Sequence, residues 1–210
     1  MDIQFQLDES GDRVGVPAEF GSAPRPDDSV LTGSRVRLER LNADAHATDL
    51  WEAFDATAST TLWTYMPQGP FITRDALHTW ISGVEQLADP FFYAIVDQAS
   101  GKAVGVSSYL RIDTTNRVIE VGYLSFSGAL RQTPAATEAM YLMARNAFEL
   151  GYRRYEWKCN ALNAPSIAAA ERLGFSFEGL FRNAVIVKGR NRDTAWFAFT
   201  DGDWPAIRLA

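Results

Sequence analysis

The middle of the chain alternates between strand-like and helix-like patterns, and this alternation restricts the fold more than any other feature. Residues 117–126 are typical of a strand, and residues 133–150 repeat apolar side chains every three or four positions, as a helix does. Gly151 ends this helix, and residues 155–160 alternate again as a strand. Strands joined by a crossover helix lie parallel in one sheet, so we expect these two strands to be parallel neighbours.

Hairpin signals flank this unit on both sides. The turn-forming stretches DQASGK and DTTNR separate three strand-like segments before it, and KGRN joins two long strands after it. The predicted elements are a strand at 36–41, helices near Leu50 and after Thr73, strands at 91–97, 102–111, 117–126 and 155–160, helices at 133–150 and 166–174, and two strands within 175–200. The order βα(α)βββαβαββ predicts a mixed α/β sheet that is mostly antiparallel, with a central parallel pair.

Length and composition indicate one domain with an appendage. A chain of 210 residues with 47% hydrophobic content is long enough for one sizeable core and short for two. Residues 1–34 are rich in Asp, Gly, Pro and Ser, so we expect an extended or mobile arm there. The domain itself is predicted to cover residues 35–210.

Charge and cysteine content exclude several classes of function. The net charge of −6 argues against a broad basic surface for DNA or RNA. The single cysteine, Cys159, leaves no internal disulfide and no Cys-x-x-Cys metal site, and no other metal-ligand spacing is present. The first residues lack a signal-peptide pattern, and no stretch approaches the roughly 20 apolar residues of a membrane span. We therefore expect a cytoplasmic protein without metal, nucleic-acid or membrane partners.

The helix at 133–150 begins with T-P-A-A-T, which has two interpretations. Thr133 is a good N-cap, and Pro134 at the first helical position gives up an amide that would be unpaired anyway. This helix start needs no ligand. The methyl-sized side chains around the first turn would also let an anion approach the positive end of the helix dipole.

Three segments together resemble the GNAT superfamily of acyl-CoA N-acyltransferases over most of residues 35–200. They are EVGY (120–123), A-T-E-A (136–139) at the start of the helix, and NAPSIAAAERLGF (163–175). The spacing N-x-x-S-x-x-x-x-x-x-L-G-F, together with WTYMPQGPF and RNRDTAWF, is similar to the RimJ/RimL-type branch, named for enzymes that acetylate ribosomal-protein N-termini. The resemblance implies a GNAT-like fold and an N-acetyltransferase that uses acetyl-CoA as cosubstrate.

The resemblance also implies where acetyl-CoA binds. The family holds the pyrophosphate at the helix start, often with R-G-x-G-x-A, but here Gln132 and Pro134 occupy the two glycine places. Pantetheine would pair between the splayed fourth and fifth strands, where a backbone amide near Leu124 would stabilise the oxyanion. The residues expected to contact acetyl-CoA are Leu124, Phe126, Arg131, Thr133, Ala135, Ala136, Thr137 and Asn163.

Two residues are candidates for catalysis. Glu120 would draw the amine proton directly or through water, and its alternative role is that of a solvated acid on a half-exposed strand. The family often protonates the departing thiolate with a tyrosine, but that place holds Ala170. Ser166 is the substitute, and it could equally be a residue that only starts the helix. Asn163 contacts pantetheine or merely caps the same helix.

The resemblance places the acceptor wall at Trp63, Tyr65, Met66 and Phe71, which could equally be ordinary packing between two helices. We expect direct attack by a primary amine on acetyl-CoA in a ternary complex. The acceptor is either a protein N-terminus or a small amine, and a homodimer is left open. The alternative is an inactive CoA-binding or interaction module with the same fold.

Overall fold

The computed structural model describes residues 3–18, 21–54 and 60–209. Residues 1–2 and 19–20 of the expected arm, and residues 55–59 and 210 of the expected domain, lie outside the described residues. The strands are β1 (Phe5–Leu7), β2 (Arg13–Gly15), β3 (Leu31–Thr32), β4 (Val36–Arg40), β5 (Phe91–Asp97), β6 (Ala103–Asp113), β7 (Val118–Phe126), β8 (Arg154–Asn160), β9 (Ser176–Val187) and β10 (Arg190–Thr200). The helices are α1 (Ala43–Phe54), α2 (Arg74–Val84), α3 (Pro134–Glu149), α4 (Ala164–Arg172) and α5 (Trp204–Ile207), with a 3₁₀ turn at Thr60–Trp63.

The predicted fold class is confirmed. Eight strands form one sheet in the order β3-β4-β5-β6-β7-β8-β10-β9. Neighbouring strands pair antiparallel except β7 and β8, which are parallel and joined by the crossover helix α3. From β4 to β10 the elements follow the predicted order. The sequence patterns did not predict the strands before β4 or the short helix α5.

Helices cover the two faces of the sheet unequally. On one face, α3 and α4 pack over side chains such as Tyr109, Val121 and Trp157. On the other face, α1 and α2 pack over β5 and β6, with Phe92 and Val106 in their core. Side chains alternate between faces along each strand, so Glu120 and the charged residues of β8 lie on the α1/α2 face. The α1/α2 face therefore carries charged side chains on β7 and β8.

The N-terminal segment makes two kinds of structure. Strands β1 and β2 form a small separate hairpin, whereas β3 extends the main sheet beside β4. Between them, the Ala23 amide donates to the Thr114 carbonyl (2.9 Å), and the Tyr152 hydroxyl donates to the Pro24 carbonyl (3.1 Å). The extended or mobile arm at residues 1–34 stays a prediction. No helix among the described ranges is long and apolar enough to cross a bilayer.

Glu138 fastens the start of β4 to helix α3. The helical pattern predicts that Glu138 faces away from the core, but its carboxylate accepts hydrogen bonds from the amides of Ser34 (2.9 Å), Arg35 (2.6 Å) and Val36 (2.9 Å). A Cβ on Gly33 would lie 2.6 Å from the Glu138 Cδ, so a larger residue at this position would displace the carboxylate. Burial raises the pKa of Glu138, but the hydrogen bonds from Ser34, Arg35 and Val36 outweigh it and lower the pKa to about 2.

This depressed pKa predicts a pH-dependent contribution to stability. The stabilisation is complete above the ordinary glutamate pKa of 4.5 and is lost as the pH falls towards 2, because the carboxylate must then be protonated. We expect Glu138→Gln to cost roughly 1 kcal/mol at pH 7, since the site is partly solvated. Urea unfolding of both proteins across this pH range measures the difference.

The difference between wild type and Glu138→Gln should shrink as the pH falls from 4.5 towards 2. Glu149→Gln is the matched control, because Glu149 is exposed on the same helix. A difference that stays constant down to pH 2.5 would contradict this account of Glu138.

Candidate active site

Strands β7 and β8 separate part of the way along their length. Their ladder pairs Val118 with Arg154 and ends where Val121 pairs with Trp157. Beyond that point β7 continues to Phe126 beside β6, and β8 continues to Asn160 beside β10. The two strands therefore open a gap in the middle of the sheet, which we call the β7/β8 gap. Leu124 and Phe126 are half-buried residues of β7 beside it.

The start of helix α3 lies just after β7. Thr133 is the N-cap, its hydroxyl accepts from the Ala136 amide (3.3 Å), and Pro134 occupies the first turn. The Thr137 amide donates to the Thr133 carbonyl (3.4 Å). Within the described part of the chain, the amides of Thr133 and Ala135 have no such acceptor. Of the four amides expected to bind phosphate, two are therefore already engaged in the helix start.

Gln132 adopts the backbone conformation that a glycine would provide. Its φ is +61°, in the left-handed region that residues with a Cβ rarely adopt. The turn before α3 thus keeps the backbone path of a glycine-rich loop without the glycine. Two backbone hydrogen bonds complete this turn, because the amides of Leu130 and Arg131 both donate to the Ser127 carbonyl (3.1 and 2.9 Å).

Two arginines flank this helix start. Arg131 is exposed in the turn, and Arg172, at the end of α4, donates to the Thr137 hydroxyl across a gap of 3.2 Å. The pair supplies positive charge beside the free amides of Thr133 and Ala135, so this set of donors fits a pyrophosphate. Local sequence pattern could not indicate Arg172, because its approach to α3 depends on the packing of two helices.

A cavity of about 390 Å³ lies on the same face, between α3, α4, α5 and the sheet. Thr137 and Arg172 form part of its wall, so it adjoins the helix start. Its other lining residues are mainly apolar and include Val121, Met140, Tyr155, Trp157, Phe175 and Trp204.

The start of helix α4 lies on the α3 side of the gap. Asn163 caps this helix, and its side chain accepts from the Ser166 amide (3.3 Å). The Ser166 hydroxyl accepts from the Trp157 indole (3.0 Å) and lies near the Cys159 thiol. Burial raises the pKa of Cys159, and the nearby Ser166 hydroxyl only partly offsets this. Cys159 is thus buried, as predicted, and Ala170 is fully buried.

Glu120 lies on the opposite side of the gap and is deeply buried. Its side chain is 3% exposed, so the alternative of a solvated acid is wrong. One carboxylate oxygen accepts from Arg111 (2.6 Å) and from Lys158 (2.7 Å). Lys158 also lies over the ring of Trp196, 3.7 Å from its centre.

These contacts belong to a longer series of alternating charges. Lys158 donates to Glu156 (2.7 Å), Glu156 accepts from Arg154 (2.7 Å), and Arg154 also pairs with Glu178. We call this series the charge chain; its members are Arg111, Glu120, Lys158, Glu156, Arg154 and Glu178. Each positive member neighbours a negative one, so the chain as a whole is neutral. The sequence offered no signal for it beyond the alternation of charges along β8.

The expected acceptor wall forms a row of aromatic contacts. Trp63 packs edge-on against Phe54 and Phe71, with ring centres 5.4 and 5.2 Å apart. Trp63 is buried and Phe71 half-buried, which is typical of packing between helices. Met66 packs against the same core. Tyr65 is different, because its hydroxyl donates to the Leu162 carbonyl (3.0 Å) and holds this loop beside the start of α4.

The structure therefore groups the predicted residues around the β7/β8 gap, on two sides. Ser166, Asn163 and the start of α3 lie on one face of the sheet, and Glu120 lies on the other. Trp63 and Phe71 lie in the α1/α2 core and connect to the gap through aromatic neighbours, since Phe92 contacts Tyr123 of β7 (5.1 Å).

Comparisons with known proteins agree with the observed fold. The family model described as an acetyltransferase (GNAT) domain matches residues 35–176. A GCN5-related N-acetyltransferase from Brucella melitensis is 43% identical, with a TM-score of 0.87 over 90% of this chain and 86% of that one. A probable GNAT-family acetyltransferase from Chromobacterium violaceum is 40% identical, with a TM-score of 0.85 over 91% of this chain and 96% of that one.

A curated sequence relative is more distant. The SPbeta prophage-derived uncharacterized N-acetyltransferase YokL of Bacillus subtilis is 29% identical over 125 residues, which cover 59% of this chain and 69% of YokL. The family model spans more than half of the chain, and on that evidence the chain belongs to the GNAT acetyltransferase family. The general reaction of this family is transfer of an acetyl group from acetyl-CoA to an amine.

Proposed function

We propose that this chain is an acetyl-CoA-dependent N-acetyltransferase of the RimJ/RimL type that acetylates a primary amine in a ternary complex. The observation that carries the proposal is the β7/β8 gap, which has a phosphate-compatible helix start on one side and a buried carboxylate, Glu120, on the other. A thioester reaching through such a gap would meet an amine arriving from the opposite face.

The residues proposed to bind acetyl-CoA fall into two groups. Arg131, Thr133 and Ala135 contact the pyrophosphate, supported by the exposed guanidinium and the free amides, while Ala136 and Thr137 shape the same turn. Leu124 and Phe126 on β7 line the path of pantetheine, with Asn163 at the start of α4. Arg172 joins the first group because it already lies at Thr137.

The chemistry proposed for this chain requires one proton transfer and one hydrogen bond to the leaving group. The amine must lose a proton as its nitrogen bonds to the acetyl carbonyl carbon, and Glu120 receives it directly or through water. When the carbon–sulfur bond breaks, the leaving thiolate needs a hydrogen-bond donor. Ser166 supplies this donor when its hydroxyl, which lies near Cys159, turns towards the sulfur of the leaving coenzyme. Bound acetyl-CoA supplies the acetyl group as an activated thioester.

The acceptor wall stays a proposal for its four residues, with different support for each. Tyr65, Met66 and Phe71 are half-buried, whereas Trp63 is buried and packs edge-on against Phe71. A cytoplasmic location and a homodimer also stay predictions. The inactive CoA-binding module is less well supported, because buried Glu120 would be an unusual residue to keep at a gap without a catalytic role.

Replacing Glu120 tests the proposed base. We expect Glu120→Gln to lower turnover by about 10²- to 10⁴-fold, the usual effect of removing a general base, with little change in acetyl-CoA affinity. Thiol release over a panel of amines measures turnover, and calorimetry measures the affinity.

Glu156→Gln is the matched control for this variant. Glu156 shares Lys158 with Glu120 and is similarly buried, so it reports the effect of breaking the charge chain alone. Equal losses in the two variants would assign Glu120 to the charge chain and not to catalysis. Absence of acetyl-CoA binding at millimolar concentration would reject the enzyme itself.

Replacing Ser166 tests the proposed donor to the thiolate. A hydrogen bond to a charged group contributes roughly 1.5–3 kcal/mol, so Ser166→Ala should slow single-turnover transfer by about 10- to 100-fold. Trp157→Phe is the comparison, because it removes the indole that donates to Ser166 and leaves the hydroxyl in place. An unchanged rate in Ser166→Ala, or an equal slowing in both variants, would reduce Ser166 to a structural role.

A further inference from the structure

Arg192 on β10 has no ion-pair partner among the described residues. Its side chain is partly buried, and its Nε is shielded from solvent with no hydrogen-bond acceptor. Among the residues that the structure describes, no carboxylate lies within ion-pair distance of it. Burial is the main influence on its pKa, which is lowered from the ordinary arginine value.

This arrangement is unusual for a folded protein. A guanidinium taken out of water normally gains a carboxylate or several hydrogen bonds in exchange. The six members of the charge chain neutralise one another, so none of them is left to neutralise Arg192. One surplus positive charge therefore remains at this place in the structure.

The neighbours of Arg192 locate it at the reaction centre proposed above. The groups whose charges act on it are Cys159, Glu120 and Arg111. Cys159 contacts Ser166 on one side of the β7/β8 gap, and Glu120 lies on the other. Strand β10 pairs with β8 two residues beyond Arg192, where Thr194 lies opposite Asn160, so Arg192 is close to Glu120, the proposed base, and to Cys159.

Other polar atoms near the same hairpin also lack partners. The side-chain amide of Gln68 is shielded at both its nitrogen and its oxygen, and the indole nitrogen of Trp196 is shielded too. Lys188, four residues before Arg192, donates to the carbonyls of Trp63 (2.8 Å) and Gln68 (3.3 Å). The loop of the expected acceptor wall is therefore tied to the hairpin that carries Arg192.

We propose that Arg192 binds a carboxylate of the acceptor, so that the substrate is a free amino acid or a closely similar amine that carries a carboxylate. This inference rests on the proposed N-acetyltransferase function and specifies its acceptor. A planar guanidinium suits a carboxylate, and a single surplus charge matches a monoanion better than a phosphate, which carries nearly two charges at neutral pH.

The same charge disfavours the other acceptors. The amine at a protein N-terminus is followed by a peptide carbonyl, which is neutral and leaves Arg192 unpaired. A polycationic amine would be repelled by the surplus charge of Arg192. Arg192 is accordingly a specificity-determining residue.

The test compares each amino acid with its own C-terminal amide, which keeps the side chain and the amine and removes only the negative charge. We expect the best amino acid to exceed its amide by roughly 10- to 100-fold in kcat/KM, the range typical of a charged hydrogen bond. Arg192→Met should abolish this preference, chiefly by raising the KM of the amino acid. Arg192→Lys should retain part of the preference.

Arg190→Met is the matched control, because Arg190 is exposed at the start of the same strand and should leave the preference intact. Thermal denaturation of Arg192→Met separates a structural role from recognition. Loss of an unpaired buried charge should leave the melting temperature equal or higher, whereas a structural role would lower it.

A second measurement does not depend on turnover. Free amino acids, but not their amides, should raise the melting temperature of the wild type, and this shift should be absent in Arg192→Met. Equal use of acids and amides, an unaltered preference in Arg192→Met, or no stabilisation by any amino acid would overturn the inference. Failure of acetyl-CoA to bind would instead reject the proposed function, and the melting experiment would still decide the role of Arg192.

Discussion

The short parallel ladder between β7 and β8 is the constraint on which the rest of the site depends. The two strands pair with each other from Val118 to Val121. Beyond Val121 they no longer pair, although β7 stays paired with β6 and β8 with β10. Because side chains alternate across a sheet, the last paired residues determine which groups face each side. Glu120 is directed towards the charged face, and Trp157, which holds Ser166, is directed towards α4. If β7 and β8 paired along their full length, the sheet would lie between these two groups without an opening.

Burying charge beside this gap costs stability unless each charge is paired. The chain meets this requirement by alternating acids and bases across β7, β8 and β9, with Lys158 shared between two carboxylates. Such a network is strongly ordered, since removing one member leaves its partner buried and unpaired. Arg192 departs from this rule, and exceptions to polar pairing tend to occur at functional sites.

The sequence predicted those features that depend on local pattern. Strand and helix periods, the Thr133 cap and the crossover between β7 and β8 are all read from neighbouring residues, and the structure confirms them. It could not predict contacts between distant segments. Glu138 was expected to face solvent, yet it binds amides about a hundred residues earlier in the chain. The pairing of Arg111 with Glu120, the reach of Arg172 and the isolation of Arg192 depend likewise on register and packing.

Amide hydrogen exchange shows whether acetyl-CoA occupies the β7/β8 gap and the start of α3. We expect saturating acetyl-CoA to slow exchange at residues 122–126 and 131–137, while the separate hairpin of β1 and β2 exchanges as before. Unchanged exchange in both segments, or protection confined to another part of the protein, would contradict it.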